Sequence, residues 1–387
     1  MEIKLVKNTF YNEKETRAKL AEFVANAEFL SMGKETKKFE EAFAEKQGRK
    51  FAVMVTSGSA ANLLLLQALK NIGKLKDGDK IGVSAITWAT NVFPVIQLGM
   101  NPVFVDSEID TLNVSPKKLS EKLSGMKAFF LTNVLGFSDD IGLIAKICKE
   151  GGILFFEDNC ESLGSKVQGR HLGNFGEAAT FSFFVAHHIS TVEGGMVVTD
   201  DENLYHELLL ARSHGWDRNL PHTKQKEIRL ANNLDDFFSK YAFHRLAYNV
   251  RPTDIQGFIG LDQIQYWDNI VQKRASNFER FNEAATKNPD LIPIKTSHMD
   301  IVSNFAMPVI SRDKEKFIFY KKRFEDGGVE VRPIIAGNIS KHPYWIDIKK
   351  SEHLEGADFI HQNGFYFANN PDLTEEEIQY LIDLLKK

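Results

Sequence analysis

The sequence predicts an α/β protein with a large, mostly parallel sheet and a smaller α+β unit at its C-terminal end. Between about residues 40 and 210, short apolar runs alternate with helical patterns, which is typical of a parallel sheet covered by helices on both faces. Residues from about 290 to 387 instead combine two strand patterns with a closing helix. The 387 residues, 43% hydrophobic and 26% charged, are long enough for two such units.

Seven apolar segments are predicted to form the large sheet, namely 51–55, 80–83, 103–106, 128–132, 153–156, 178–184 and 195–199. An apolar helix follows the first segment through Leu69, and another helix is predicted over 140–149. Residues 215–250 are polar and aromatic, and 217–234 are predicted to form a long loop, a feature that is usually functional or mobile.

The remaining chain is predicted to begin with one long helix over 253–285. Strands are expected at 304–310 and 329–334, followed by a helix over 373–386 with Thr374 as its N-cap. We therefore expect residues 1–250 to form an N-terminal segment and a large domain. Residues 251–387 would form a connecting helix and a small α+β domain.

Composition excludes several functional classes. The net charge is −4, and the 48 basic and 52 acidic residues are interspersed, unlike the basic stripe of a nucleic-acid-binding protein. No apolar run approaches the roughly 20 residues of a membrane span. The first residues, MEIKLVKNTFYNEKE, contain no apolar signal core. We therefore expect a cytoplasmic protein with neither nucleic-acid nor membrane partners.

Cys148 and Cys160 are the two cysteines. Two thiols cannot form a disulfide framework, and they cannot supply the four thiolates of a usual iron–sulfur cluster.

Two polar segments follow predicted strands of the large sheet. Residues 56–62, TSGSAAN, enter a helix, where Gly58 and Ser59 offer backbone N–H groups suited to a phosphate. By itself this segment is more simply an N-capped helix after a tight turn. Residues 155–161, FFEDNCE, end a strand in acids, and a carboxylate at a strand tip is placed either to meet a ligand or to form a surface turn.

Other candidates are similarly ambiguous when taken alone. His187 and His188 follow a strand, and histidine is the commonest general acid or base; a structural pair is the ordinary alternative, and metal ligation is a minor one. Trp88 would stack on a flat ring or belong to the core. Residues 248–257, YNVRPTDIQG, supply side-chain donors or solvated helix-cap residues.

Taken in order and with these intervals, the segments resemble the DegT/DnrJ/EryC1/StrS-type sugar aminotransferases, a branch of the fold-type I vitamin B6 enzymes. The resemblance extends from Ser31-Met32-Gly33 to the C-terminal unit. It implies an aspartate aminotransferase-like fold, a homodimer with shared active sites, and pyridoxal 5'-phosphate or pyridoxamine 5'-phosphate as cofactor.

The resemblance also implies roles for individual residues. The cofactor phosphate would be held by Gly58, Ser59 and Ser182, and the partner subunit's Asn249 would also reach it. On the pyridine ring, Trp88 would stack on the face and Asp158 would pair with the nitrogen. Glu161 would lie near the ring hydroxyl. Arg251 would meet substrate or cofactor. His214 and Arg218 are candidates for contact with the sugar or a phosphate, or are loop residues facing solvent, and His188 is expected to be structural.

One position departs from the family pattern. The aminotransferases carry the lysine that tethers the cofactor in a pattern like F-S-F-x-x-x-K, and counting from Phe181 places that lysine at His187. Glu193 follows six residues later, which fixes the register from both sides, and no lysine occurs from Val167 to Thr223. Imidazole cannot form the covalent link to the cofactor aldehyde, but it can transfer protons.

With a histidine at this position, and with the strings EDNCES, HHI, HGW-x-RNLP and YNVRP, the sequence resembles the sugar 3-dehydratases of this family that work without an iron–sulfur cluster. The function implied is removal of the C3 hydroxyl of a nucleotide-linked 4-keto-6-deoxy sugar, with L-glutamate as amino donor and release of ammonia. The resemblance favours GDP-4-keto-6-deoxy-D-mannose or a close relative as substrate. The alternatives are a nucleotide-sugar aminotransferase that uses a distant lysine and a non-catalytic sugar-nucleotide-binding protein.

Overall fold

The computed structural model describes residues 1–387. Its strands are β1 (Phe51–Val55), β2 (Lys80–Ser84), β3 (Asn101–Val105), β4 (Met126–Thr132), β5 (Leu154–Asp158), β6 (Lys166–Val167), β7 (Arg170–His171), β8 (Ala178–Ser182), β9 (Gly195–Thr199), β10 (Leu291–Ile292), β11 (Ala306–Ser311), β12 (Arg332–Pro333) and β13 (Gly364–Ala368).

The helices cover both sheets and connect them. They are α1 (Glu13–Asn26), α2 (Lys34–Gln47), α3 (Gly58–Asn71), α4 (Ala89–Gln97), α5 (Pro116–Ser120), α6 (Ile141–Glu150), α7 (Glu202–Arg212), α8 (His222–Ala231), α9 (Asp254–Ile264), α10 (Trp267–Thr286), α11 (Lys314–Asp326), α12 (Pro343–Ile346), α13 (Glu355–Asn363) and α14 (Glu375–Leu385). None of them combines the length and the apolar character that crossing a lipid bilayer requires.

The large sheet has seven strands in the order β1-β9-β8-β5-β4-β2-β3. Only β9 runs against its neighbours, so the sheet is mostly parallel, as predicted. All seven predicted segments form its strands, because their apolar runs are buried on both faces of the sheet. The carboxyl ends of β1, β2, β5 and β8 meet at one edge, which is where such sheets bind ligands.

The small sheet is antiparallel, with the order β10-β11-β13-β12. It packs against α11, whose Tyr320 and Phe324 are buried. Thr374 caps α14 as predicted, since its hydroxyl accepts from the Glu377 N–H while the Glu377 carboxylate accepts from the Thr374 N–H. This unit forms the predicted small α+β domain.

A carboxylate that follows the large sheet forms hydrogen bonds between the large and the small domain. Asp106, just after β3, accepts from the N–H groups of Gly356 (3.1 Å) and Ala357 (2.8 Å) in the first turn of α13. A Cβ at Gly356 would lie 1.7 Å from the Ser107 carbonyl oxygen, so glycine allows this close approach. The predicted domain boundary between residues 250 and 251 remains a prediction.

The predicted loop over 217–234 was wrong, because it contains α8. This helix has no fully buried residue, and only Ile228 packs against the core, so its sequence shows little of the apolar stripe that marks a helix. An ion pair also holds it, since the Arg229 guanidinium lies 2.6 Å from an Asp217 carboxylate oxygen.

Two further segments differ from their predicted extents. The single helix over 253–285 is two helices, and the break follows Ile264, where the Gln265 side-chain amide donates to the Asp262 carbonyl oxygen (2.6 Å) in place of a backbone donor. The strand predicted at 329–334 is only Arg332–Pro333, since proline lacks the N–H that a longer ladder needs.

Candidate active site

A cavity of about 410 Å³ opens at the carboxyl edge of the large sheet and is closed on one side by the small domain. Its lining comprises Ser57, Gly58, Ser59, Trp88, Thr90, Asn91, Thr132, Asp158, Cys160, Glu161, Ser182, Phe184, Ala186, His187, Glu193, Phe305, Ile335 and Tyr366. Seven candidates from the sequence therefore meet here, namely Gly58, Ser59, Trp88, Asp158, Glu161, Ser182 and His187. Their separate strand-end motifs form one site.

The turn into α3 offers a site for an anion. The Ser57 side chain caps the helix by accepting from the Ala60 N–H (3.1 Å), whereas the N–H groups of Gly58 and Ser59 have no protein acceptor. A Cβ at Gly58 would lie 2.7 Å from the Ser182 Cβ, so glycine is what lets β8 approach the turn. Free N–H groups at a helix N-terminus suit a phosphate.

Asp158 is held rigidly at the tip of β5. Its Oδ2 accepts from the side-chain amides of Asn62 (2.9 Å) and Asn91 (2.7 Å), and its Oδ1 accepts from the Cys160 N–H (2.9 Å). Only 4% of Asp158 is exposed, and its carboxylate borders the cavity. The three donors fix its orientation and leave it able to meet a cationic ring nitrogen.

His187 faces the same cavity in a defined tautomer. Its Nδ1 lies 2.5 Å from the Cys160 carbonyl oxygen, and a carbonyl only accepts, so Nδ1 carries the hydrogen. Burial lowers the pKa of His187 to about 4, which keeps the ring neutral at pH 7. The lone pair at Nε2 is therefore available to accept a proton. The Phe305 ring packs 5.1 Å from the imidazole.

Glu161 adds a second titratable group to the cavity. Burial, reinforced by the nearby charge of Asp158, raises the pKa of Glu161 to about 8 even though its Oε2 accepts from the Leu135 N–H (2.8 Å). The carboxyl is therefore mostly protonated at pH 7 and can donate a hydrogen bond to a bound group.

No lysine or arginine lines the cavity. The lining thus provides no amine to tether an aldehyde cofactor. It also provides no permanent cation to neutralise phosphates, so those charges would have to be matched by groups from outside this lining.

The structure does not bring the remaining candidates into this cavity. Asn249 forms a backbone bridge with Ser213. The guanidinium groups of Arg218 and Arg251 lie 4.2 Å and 5.7 Å from the Trp216 ring centroid, and the His214 ring lies 4.9 Å from it. Arg218, Arg251 and His214 form a separate cluster around Trp216, in which the two guanidinium groups are cationic.

His188 differs from its neighbour, because it is buried and its Nε2 donates to the Ser303 carbonyl oxygen (2.8 Å). That contact fits the expected structural role.

Sequence reasoning missed residues that come from distant elements. Phe305, Ile335 and Tyr366 reach the cavity from the small domain, and Asn62 and Asn91 bind Asp158 from α3 and α4. The only local signal was Asn62 at the end of the TSGSAAN segment.

The residues present fit pyridoxal phosphate or pyridoxamine phosphate. Trp88 is 56% exposed beside the cavity, which leaves ring surface free to stack on a planar ligand. The buried Asp158 carboxylate suits a pyridinium nitrogen, and the turn into α3, narrowed by the contact between Gly58 and Ser182, suits a phosphate.

Comparisons with known proteins agree with this architecture. The sequence model of the DegT/DnrJ/EryC1/StrS aminotransferase family matches residues 11–386. The GDP-4-keto-6-deoxy-D-mannose 3-dehydratase of Yersinia pseudotuberculosis is 36% identical over 386 residues, which cover 97% of this chain and 96% of that protein.

Solved structures of similar proteins extend the comparison. The structure of E. coli GDP-4-keto-6-deoxy-D-mannose-3-dehydratase with bound hydrated PLP matches with a TM-score of 0.90 and 32% identity, over 100% of both chains. A GDP-4-keto-6-deoxymannose-3-dehydratase with a trapped PLP-glutamate geminal diamine also matches over 100% of both chains, with a TM-score of 0.90 and 33% identity.

Proposed function

The chain belongs to the DegT/DnrJ/EryC1/StrS aminotransferase family, and on that premise we propose that it is a 3-dehydratase dependent on pyridoxal or pyridoxamine phosphate. It removes the C3 hydroxyl of a nucleotide-linked 4-keto-6-deoxy sugar, GDP-4-keto-6-deoxy-D-mannose or a close relative. The observation that carries this proposal is a neutral His187 in a cavity that no lysine lines.

The cofactor is assigned to the residues already described at the carboxyl edge of the sheet. Gly58, Ser59 and Ser182 bind its phosphate, Trp88 stacks on its ring, and Asp158 pairs with the ring nitrogen. Glu161, protonated at pH 7, donates toward the ring hydroxyl. When bound, the cofactor supplies an exchangeable amino group and an electron-accepting ring.

His187 performs the proton transfers. Its Nε2 accepts a proton during the reaction and delivers it to the departing C3 oxygen of the sugar, which leaves as water. Such transfer by a positioned side chain contributes about 10²- to 10⁴-fold to a rate. The Cys160 carbonyl holds Nδ1–H throughout, and it stabilises the ring while it carries the extra proton.

The overall reaction balances with glutamate as the reductant. Glutamate loses its amino group and two electrons to become 2-oxoglutarate, and the sugar loses its C3 oxygen. The products are 2-oxoglutarate, ammonia and a 4-keto-3,6-dideoxy sugar nucleotide. The Yersinia and E. coli relatives carry the corresponding dehydratase name.

We further propose that the active protein is a homodimer with shared sites. The cavity needs cations for phosphate groups, and its own lining has none. The partner subunit's Asn249 and the partner subunit's Arg251 would complete it, with the cluster around Trp216 available to the nucleotide. Two large side chains that pack on Trp216 are exposed in the single chain, namely Tyr241 (68%) and Phe243 (63%). Their burial would favour association.

The cytoplasmic location remains a prediction.

The proposal is tested by product analysis. Purified protein, reconstituted with cofactor, is incubated with L-glutamate and GDP-4-keto-6-deoxy-D-mannose, and the sugar nucleotide is analysed by mass spectrometry while ammonia is measured. We expect loss of one oxygen and stoichiometric ammonia. If the product instead gains an amine, the protein is an aminotransferase. If neither this nor a related 4-keto sugar nucleotide is converted, the protein is a non-catalytic binding protein.

A further inference from the structure

The small domain closes the cavity with only three side chains, Phe305, Ile335 and Tyr366. Tyr366 lies in the middle of β13, paired with Pro308 of β11 and Arg332 of β12. Its ring packs edge-on against Phe305 at 6.1 Å. The hydroxyl of Tyr366 is therefore the one polar side-chain group on an otherwise apolar wall, opposite the cofactor-binding edge of the large sheet.

The Tyr366 hydroxyl has no hydrogen-bond partner in the protein. Burial raises the pKa of Tyr366 well above its usual value, with the charge of nearby Glu161 adding to the effect, so the group stays protonated and offers an O–H donor. Because Tyr366 lines the cavity, this donor can meet an acceptor on a bound substrate.

Backbone strain also marks this wall. Ile335 has φ 47°, in the left-handed region that β-branched residues rarely adopt. The segment is fixed by the Gly337 N–H, which donates to the Ile334 carbonyl oxygen (2.7 Å), and by the Ile339 N–H, which donates to the Ala85 carbonyl oxygen of the large domain (3.0 Å). Strained residues that the surroundings hold in place cluster at ligand-binding sites.

We propose that this wall recognises the sugar: the Tyr366 hydroxyl donates a hydrogen bond to an oxygen of the sugar ring or its substituents, and Phe305 and Ile335 contact the C6 methyl group. The inference rests on the proposed function. A 6-deoxy sugar presents a methyl group beside hydroxyls, which matches an apolar surface that carries one donor. Glutamate matches it poorly, because its carboxylates require cations and this wall has none.

The experiment measures the reaction with glutamate and the reaction with the sugar nucleotide separately. In Tyr366→Phe, the loading of the cofactor with the amino group of glutamate is followed by absorbance without any sugar present, and dehydration is followed separately. We expect unchanged loading and about a 2- to 13-fold lower kcat/KM for the sugar nucleotide, the range for one hydrogen bond between uncharged groups. Binding of the sugar nucleotide to the protein, measured by calorimetry, should weaken in parallel.

Tyr344→Phe is the matched control. The Tyr344 hydroxyl likewise has no partner in the protein, but Tyr344 lies outside the cavity and its ring packs on Phe93. We expect this variant to retain both half-reactions. Equal kcat/KM and equal affinity in Tyr366→Phe and the unaltered protein would overturn the inference, as would a defect confined to glutamate loading. Failure of the proposed function is distinct, because the unaltered protein would then release no ammonia.

Discussion

The backbone of Cys160 links the two groups that the proposed chemistry needs, because its carbonyl oxygen lies 2.5 Å from Nδ1 of His187 while its N–H donates to Asp158 (2.9 Å). The turn after β5 thereby orients the carboxylate for the ring nitrogen and fixes the imidazole tautomer. A histidine that replaces the tethering lysine is thus built into the site with its Nε2 free to accept a proton.

The activity should depend on pH through His187 and Glu161. His187 acts as a base in its neutral form, which exists above its pKa of about 4, so kcat/KM should fall as the pH drops toward that value. Glu161 donates in its protonated form, which is lost as the pH rises through about 8, so kcat/KM should fall again there. In Glu161→Gln the alkaline decline should disappear while the acid decline stays. If the alkaline decline in kcat/KM is unchanged in this variant, a group other than Glu161 causes it.

The amides that hold Asp158 should matter for cofactor affinity. Asn62→Ala and Asn91→Ala each remove one donor to Oδ2, which leaves the carboxylate less well oriented. We expect each to weaken pyridoxal phosphate binding by about tenfold, as for loss of a hydrogen bond to a charged group. Fluorescence titration of the apoprotein measures this. Asn101→Ala removes a surface amide that donates to the Gly78 carbonyl oxygen and should leave the affinity unchanged.

Shared active sites predict complementation between inactive variants. His187→Gln removes the proposed base and Arg251→Ala removes a cation proposed to act in the partner's site. Mixing the two inactive homodimers under conditions that exchange subunits should restore ammonia release, because each mixed dimer contains one site with both residues intact. Activity that stays at the level of the separate variants would argue that Arg251 serves the site of its own chain or none.

The contact between Asp106 and α13 should contribute to stability. Asp106→Ala removes the acceptor for two N–H groups at the start of α13 and for the Lys118 ammonium (2.9 Å). We expect a loss of about 2 kcal/mol in the free energy of unfolding, since a helix cap and a charged hydrogen bond are lost together. Urea denaturation of the apoprotein measures this. Asp77→Ala breaks only an exposed contact with Lys70 and should change stability little.

Much of the site could be predicted because it is local in sequence. Asp158 and Ser182 end strands, and Gly58 and Trp88 come shortly after strands, whose apolar runs are easy to recognise; parallel strands bring their carboxyl ends to one edge. The substitution at His187 was likewise visible, because the flanking segments fix its register.

The rest could not be predicted, for physical reasons. Tyr366 belongs to an apolar strand of the small domain, and only the docking of that domain places its side chain against the large sheet. Asn62 looks like an ordinary helix residue until Asp158 is brought to it by the strand order. α8 was missed because only Ile228 packs against the core, and the contact between Arg229 and Asp217 is electrostatic.

The rate of a single turnover in His187→Gln tests the role of the imidazole most directly. Protein loaded with pyridoxamine phosphate is mixed with GDP-4-keto-6-deoxy-D-mannose, and loss of the C3 oxygen is followed by mass spectrometry, with the exposed His353→Gln as control. We expect the control to match the unaltered protein and His187→Gln to be slower by about 10²- to 10⁴-fold. A His187→Gln rate equal to that of the unaltered protein would mean that another group moves the proton.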